Sequence, residues 1–370
     1  MVALALAEVL AGVILRENVE LLVAFPALLI LAPGLMDLRG NVYGAIGYRL
    51  VKALHLGLAE SRVLSRFNLI NMLTGFVVSV AATLFLVLIG LCLTIVLGLR
   101  APDLISLCFI ALQSTIIVYI LLTPVVVSSI VYLFKKGYDP SPFVATIVTG
   151  IGDVLTPATM ILVAYLHGMV PYGIKLILVI VLIVLAFTGA HYIYRVKGMK
   201  DLFENLTSSV IASTGSSLGG LSLALIAGFI EGNPEILGLI PAFNAVIGAA
   251  MGYLGSSLNI HLHVSGTSPG RVYNRDAVAG LASSYLSIML AVLLSLAPFH
   301  IVFNKSMKVV LVASISSVSV YVLASTITYI LTKLTFKNGW DPDNVVFPVM
   351  TTFVDLVGPL IVSLMAILVL

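Results

Sequence analysis

Residues 139–157 read DPSPFVATIVTGIGDVLTP and residues 341–359 read DPDNVVFPVMTTFVDLVGP, two segments of equal length that share Asp, Pro, Val, Thr, Asp and Pro at matching places. Each then runs directly into an apolar stretch. A carboxylate inside a membrane helix is costly, and where one occurs it usually marks an ion path, a proton relay or a binding site. Two of them, Asp153 and Asp355, stand at equivalent places of a duplicated chain. That arrangement predicts a cation site on the axis relating the copies.

The rest of the composition places these segments in a bilayer. Hydrophobic residues make up 60% of the 370 and charged residues 9%, with a mean hydropathy of +1.17, whereas charged residues form about a quarter of a soluble domain. The chain reads as a multi-pass protein of the cell membrane, with little length left for a separate soluble domain. Nucleic-acid binding has no support. Cys92 and Cys108, the only cysteines, both lie in apolar stretches and supply neither a disulfide framework nor a zinc site. The run from Val2 to Leu15 has no basic segment before it and reads as a short first helix rather than a cleaved signal.

With about 20 apolar residues needed to cross the hydrocarbon core, helices are expected near 2–16, 20–48, 70–98, 104–134 and 141–167. An unpaired helix follows near 173–194, and a second set near 207–230, 235–263, 277–298, 307–332 and 344–370. The predicted fold is all-α, with about eleven transmembrane helices as two five-helix repeats, 1–170 and 201–370, joined by a linker segment at 171–200. Glu20, Pro26, Ala27, Met36 and Gly40 match Glu235, Pro241, Ala242, Met251 and Gly255 at an offset of 215, while the Asp segments are offset by 202. An odd number of spans per copy inverts the second copy unless one more helix intervenes, and the linker helix is that one. The repeats are therefore expected to be parallel, with a pseudo-two-fold axis along the membrane normal.

Charge gives a separate indication of topology. With a cytoplasmic N-terminus and an extracellular C-terminus, thirteen Lys and Arg fall on the cytoplasmic side and five (Arg16, Arg100, Lys175, Lys305, Lys308) outside, with Arg39 inside a span. This is a positive-inside bias.

Asp139 and Asp341 each precede a proline, the pattern of a helix start in which Asp caps free N–H groups and Pro occupies the first turn. Asp153 and Asp355 lie fourteen residues further on, about 21 Å along the helix at ~1.5 Å per residue, well inside the membrane. Thr149 and Thr351, four residues earlier, share their face. Two facing unprotonated carboxylates repel in a low dielectric, so they share a proton or hold a cation. Oxygen ligands without thiolates favour a hard ion; Mg2+ fits best, with Mn2+, Co2+ and Ni2+ open. In 35–50, LMDLRGNVYGAIGYRL, Asn41 offers a carbonyl oxygen, Asp37 and Arg39 invite pairing, and the glycines permit close helix approach. Glu17, Glu20, Glu231 and Glu235 read as acidic outer turns that concentrate cations. His261 and His263, two apart, do not share a helical face and read as structural. Glu8 has no counterpart in the second copy.

Asp341-Pro342-Asp343-Asn344 with Pro348, Thr351, Asp355 and Gly358 resembles the signature of the MgtE magnesium transporters and their relatives in solute carrier family 41. Leu38-Arg39-Gly40-Asn41, ending at Arg49-Leu50, is similar to that family's second-helix motif. The resemblance implies a dimer of five-helix subunits fused into one chain, its second and fifth helices lining an ion path. It implies metal-site roles for Asp153 and Asp355, with the backbone near Thr149 and Thr351 close by. The first copy departs at Ser141-Pro142 and Thr146, and Gly255-Ser256 stands where the first copy has Gly40-Asn41. The cytosolic sensor domains of bacterial MgtE find no counterpart in these residues.

The expected function is transport of magnesium or a related divalent cation between the two repeats, by a single chain acting as a pseudo-dimer, and not enzymatic catalysis. Coupling to Na+ or H+ requires a second site that no spacing identifies. Two other classes fit the same Asp pair: an intramembrane hydrolase with a shared-proton dyad, which no second motif such as HExxH accompanies, and a non-transporting receptor or scaffold.

Overall fold

Long apolar runs bounded by small polar caps and by glycine form helices, and the described residues are helical over most of their length. The structure, a computed structural model, describes residues 2–100, 102–264, 307–338 and 342–370. The span expected at 277–298 and Asp341 lie outside these residues. Helices α1 (Val2–Glu17), α2 (Val19–Ala24), α3 (Pro26–His55), α4 (Arg66–Val96), α5 (Leu104–Lys135) and α6 (Ser141–Leu166) are followed by α7 (Tyr172–Lys197). Then come α8 (Lys200–Leu225), α9 (Ala227–Gly232), α10 (Glu235–Val264), α11 (Met307–Lys337) and α12 (Pro342–Val369). Ser65 and Asp103 cap α4 and α5, accepting from the backbone N–H of Asn68 at 3.2 Å and Ser106 at 3.0 Å. Beyond α4 and α5 the chain turns at Gly98 (φ 64°) and Gly137 (φ 79°), a conformation that a Cβ would strain.

Six of the described helical segments are long and apolar enough to cross a membrane: 66–96, 104–135, 147–169, 172–197, 311–337 and 349–369. They coincide with six of the eleven expected spans. Of the other expected spans, α3 carries Asp37, Arg39 and Asn41 among its prolines and glycines, and α8 carries a Ser- and Thr-rich run, which dilutes their hydropathy.

Contacts divide the chain into two units, residues 20–224 and residues 1–19 with 225–370. In the first, α3 packs against α4, α5 and α6, and α7 lies against α4 and α5. The buried positions of α7 are Lys175, Val179, Leu182, Ala186, Gly189 and Ile193, recurring every three or four residues as one stripe. Its other faces carry Ile180, Ile183 and Phe187 exposed, as a lipid-facing surface does. Interhelical hydrogen bonds, which a bilayer leaves without competition from water, tie the bundle. Asn71 donates to the Ile46 carbonyl at 2.8 Å, Tyr119 to the Met72 carbonyl at 2.8 Å, and Lys175 to Ser106 Oγ at 3.2 Å. α8 joins this unit through glycine contacts: a Cβ on Gly34 would overlap Ser217 Oγ, and one on Gly220 would lie 2.5 Å from the Leu29 carbonyl oxygen.

In the second unit α10 packs against α12, α11 and α1, and α11 packs against α12. A Cβ on Gly12 of α1 would overlap the carbonyl oxygen of Gly238 on α10. One turn further along α1, Arg16 Nη2 lies 3.9 Å from Glu235 Oε1, both residues buried. Glu235 is thus a paired, buried group and not a solvated turn residue, whereas Glu17, Glu20 and Glu231 are exposed. Glu8 is also buried, at 1% exposure.

Candidate ion-binding site

Helix α6 antiparallels α3 in the first unit, as two contacts fix. His55 Nε2 lies 3.3 Å from Asp139 Oδ1 at one end, and a Cβ on Gly47 would lie 2.6 Å from Val144 Cγ1 further along. Asp139 therefore reaches across to α3, and the cap position of α6 falls on Pro140, which supplies no side-chain cap. The same packing recurs in the second unit, where a Cβ on Gly255 of α10 would lie 2.7 Å from Val346 Cγ1 of α12. Val346 is the counterpart of Val144 at offset 202, so Gly255 is the counterpart of Gly47, at offset 208.

That contact corrects the offset of 215. At 208, Pro33, Gly40, Gly44, Gly47, Leu50, Leu54 and His55 match Pro241, Gly248, Gly252, Gly255, Leu258, Leu262 and His263. The same offset carries α2 onto α9 residue for residue. The place of Gly40-Asn41 is taken by Gly248-Ala249 and not by Gly255-Ser256, and Glu20 and Glu235 are not equivalent. Asp37, Arg39 and Asn41 correspond to Ala245, Ile247 and Ala249.

Thr149 and Asp153 sit one turn apart on α6, and Thr351 and Asp355 one turn apart on α12; all four are half-buried. Asn41 donates its side-chain amide to Asp37 Oδ2 at 3.1 Å. Asp37 is thus engaged along its own helix by Asn41, and Arg39 makes no hydrogen bond among the described residues. At ~100° per residue, Arg39 lies ~160° around α3 from both Asp37 and Asn41. Continuing the α3–α6 register from Gly47 and Val144 brings Arg39 level with Asp153, and the two side chains attract each other electrostatically. Arg39 is 1% exposed.

In the second unit the corresponding register puts Gly248 of α10 against Thr351, a Cβ there lying 3.5 Å from Thr351 Cγ2. A Cβ on Gly358, three residues past Asp355, would overlap Asn244 Oδ1. Asn244 is buried and its Oδ1 accepts no hydrogen bond among the described residues. The approach of Asn244 to Gly358 follows the same register as the Gly255–Val346 contact. The side chains of His261, His263, Ser256 and Asn259 lie outside the described residues. No three His, Cys, Asp or Glu among the described residues gather as a metal site. Each unit thus offers one α3-type helix and one α6-type helix in antiparallel contact, with Asp153 or Asp355 on the latter inside a segment long and apolar enough to cross a membrane.

A family model described as MgtE, divalent cation transporter, matches residues 32–165 and 240–365, well over half of the chain. The two matched segments begin 208 residues apart, in agreement with the offset that the Gly–Val contacts give. No curated protein and no solved structure matches the chain.

Proposed function

The chain belongs to the MgtE family of divalent cation transporters, and we propose that it moves Mg2+, with Asp153 and Asp355, one from each repeat, as the carboxylates that hold the ion in transit. The observation that carries this reading is the repetition of one packing unit. In both halves a glycine of the α3-type helix seats on the equivalent valine of the α6-type helix, and the same helix bears Thr and Asp at the same distance beyond that valine.

Chemistry supports a hard divalent ion. A single carboxylate from each repeat neutralises a 2+ charge, and Mg2+ is often bound through one or two carboxylates while it keeps part of its water. Thr149 and Thr351, on the same helical faces as the carboxylates, supply oxygen one turn away. Asn41 and Asp37 form a further oxygen pair in the first half alone, since Ala249 and Ala245 replace them in the second. The half-buried state of both carboxylates suits groups that an ion must reach and leave.

The test is flux into proteoliposomes loaded with purified protein, comparing Mg2+, Mn2+, Co2+, Ca2+ and Na+ under equal gradients. The expected result is protein-dependent Mg2+ uptake that exceeds Ca2+ uptake. Ion-independent leak equal to that of empty liposomes for all divalent ions would overturn the proposal.

A further inference from the structure

Arg39 is the largest fully buried side chain among the described residues, and its Nε, Nη1 and Nη2 are all without hydrogen-bond partners among them. A buried guanidinium is retained only at considerable cost, since it loses its hydration without replacing it. What it has instead is a carboxylate at its own level on the neighbouring helix. The His55–Asp139 and Gly47–Val144 contacts set α3 and α6 in a register that carries Arg39 to Asp153. The second half keeps the carboxylate, as Asp355, but has Ile247 in place of the arginine.

We propose that Arg39 is a resident, tethered cation for Asp153, which occupies the first-half carboxylate when no metal is there and competes with the arriving ion for it. The proposal rests on the reading of Asp153 as an ion ligand. A guanidinium stays charged under all working conditions and has a fixed span of donors, so it neutralises Asp153 without adding an exchangeable proton. An ion that enters must share or displace it, and its return assists release. The two carboxylates then have different tasks. In the second half Ile247 stands where the first has Arg39, and the Asn244 carbonyl oxygen on the next helix lies near Gly358; Asp153, with Arg39 at its level, binds more weakly and exchanges more readily.

The experiment is Mg2+ titration of the purified full-length protein, read by thermal stabilisation, in the parent, Arg39→Ile, Arg39→Gln, Arg39→Lys and Asp153→Asn. Arg39→Ile, which installs the residue of the second half, is expected to bind Mg2+ at least tenfold more tightly, and Arg39→Gln likewise. Arg39→Lys, which keeps the charge, is expected to stay within threefold of the parent. In an Asp153→Asn background the Arg39→Ile change should shift affinity by less than twofold, because the contested carboxylate is gone. Unchanged or weaker Mg2+ binding in folded Arg39→Ile, or in Arg39→Gln where the isoleucine variant does not fold, overturns the competition while leaving the ion site intact. Parent-like Mg2+ affinity in Asp153→Asn overturns the ion site itself, and the role of Arg39 with it.

Discussion

Asp153 and Asp355 each bring one negative charge to an apolar helix. Two unit charges ~4 Å apart interact by about 4 kcal/mol at an effective dielectric of ~20, so removal of one carboxylate charge takes away a large part of the attraction for a divalent ion. Asp153→Asn and Asp355→Asn preserve size and hydrogen bonding, and each is expected to lower Mg2+ flux by at least about tenfold at equal amounts of folded protein. The losses should differ, because Arg39 stands at the level of Asp153 where its counterpart in the second half is Ile247. Asp37→Asn should do less, since Asp37 is engaged by Asn41 along its own helix. Equal flux in all three variants would return these residues to a structural role. Asp153 and Asp355 stand out in the sequence because charge is rare in apolar runs and duplication repeats it, and both fall inside helical segments long and apolar enough to cross a membrane. The setting of Arg39 was not legible in the sequence, for a pairing with Asp37 two residues away is as natural on paper as one with a helix that only packing brings alongside.

Helices record a different kind of legibility. Aligning Gly255 with Gly40 instead of Gly47 is an error of seven residues, and seven residues of α-helix return to within ~20° of the same face. Glycines spaced by seven, Gly40 and Gly47, Gly248 and Gly255, therefore make both alignments look sound until a contact on the neighbouring helix decides. The glycine contacts yield a matched test. Gly12 and Gly220 are equivalent at offset 208, and each lets its helix approach the backbone of an α3-type helix, at Gly238 and at Leu29 and Ile30. Leucine at either place forces the helices apart, and overpacking of this kind costs about 1–3 kcal/mol or more. Both variants are expected to melt lower than the parent in detergent; a parent-like melt in both would refute the close approach. The cap of α5 gives a pH test. Burial raises the Asp103 carboxyl, but hydrogen bonds from Ser106 outweigh it and hold its pKa below the ordinary value. A depressed carboxyl stabilises the fold above its unfolded pKa and loses that contribution as pH falls through the folded one. Asp103→Ala should cost about 1 kcal/mol at neutral pH, and the gap to the parent should close as pH drops below about 4. A gap independent of pH would mean that the carboxylate is not the cap.

For the whole molecule, the duplication was visible in the chain, but the grouping of its helices was not. Sequence repeats state which helices are equivalent and leave open which copy each one packs against. α1 groups with residues 225–370 and α8 with residues 20–224, so the contact units do not follow the boundaries at 170 and 201. The proposed parallel topology carries its own expectation: cysteines placed in the loops at 135–139 and 333–343 should react from the same, cytoplasmic, side in intact cells. Labelling from opposite sides would make the repeats inverted and the linker helix α7 superfluous. The central claim is that a divalent ion passes by way of one carboxylate from each repeat, and Mg2+ flux in proteoliposomes carrying the Asp153→Asn, Asp355→Asn double variant tests it most directly. Flux reduced to that of empty liposomes, with the variant folded and incorporated like the parent, is the predicted result; flux equal to the parent's would contradict it.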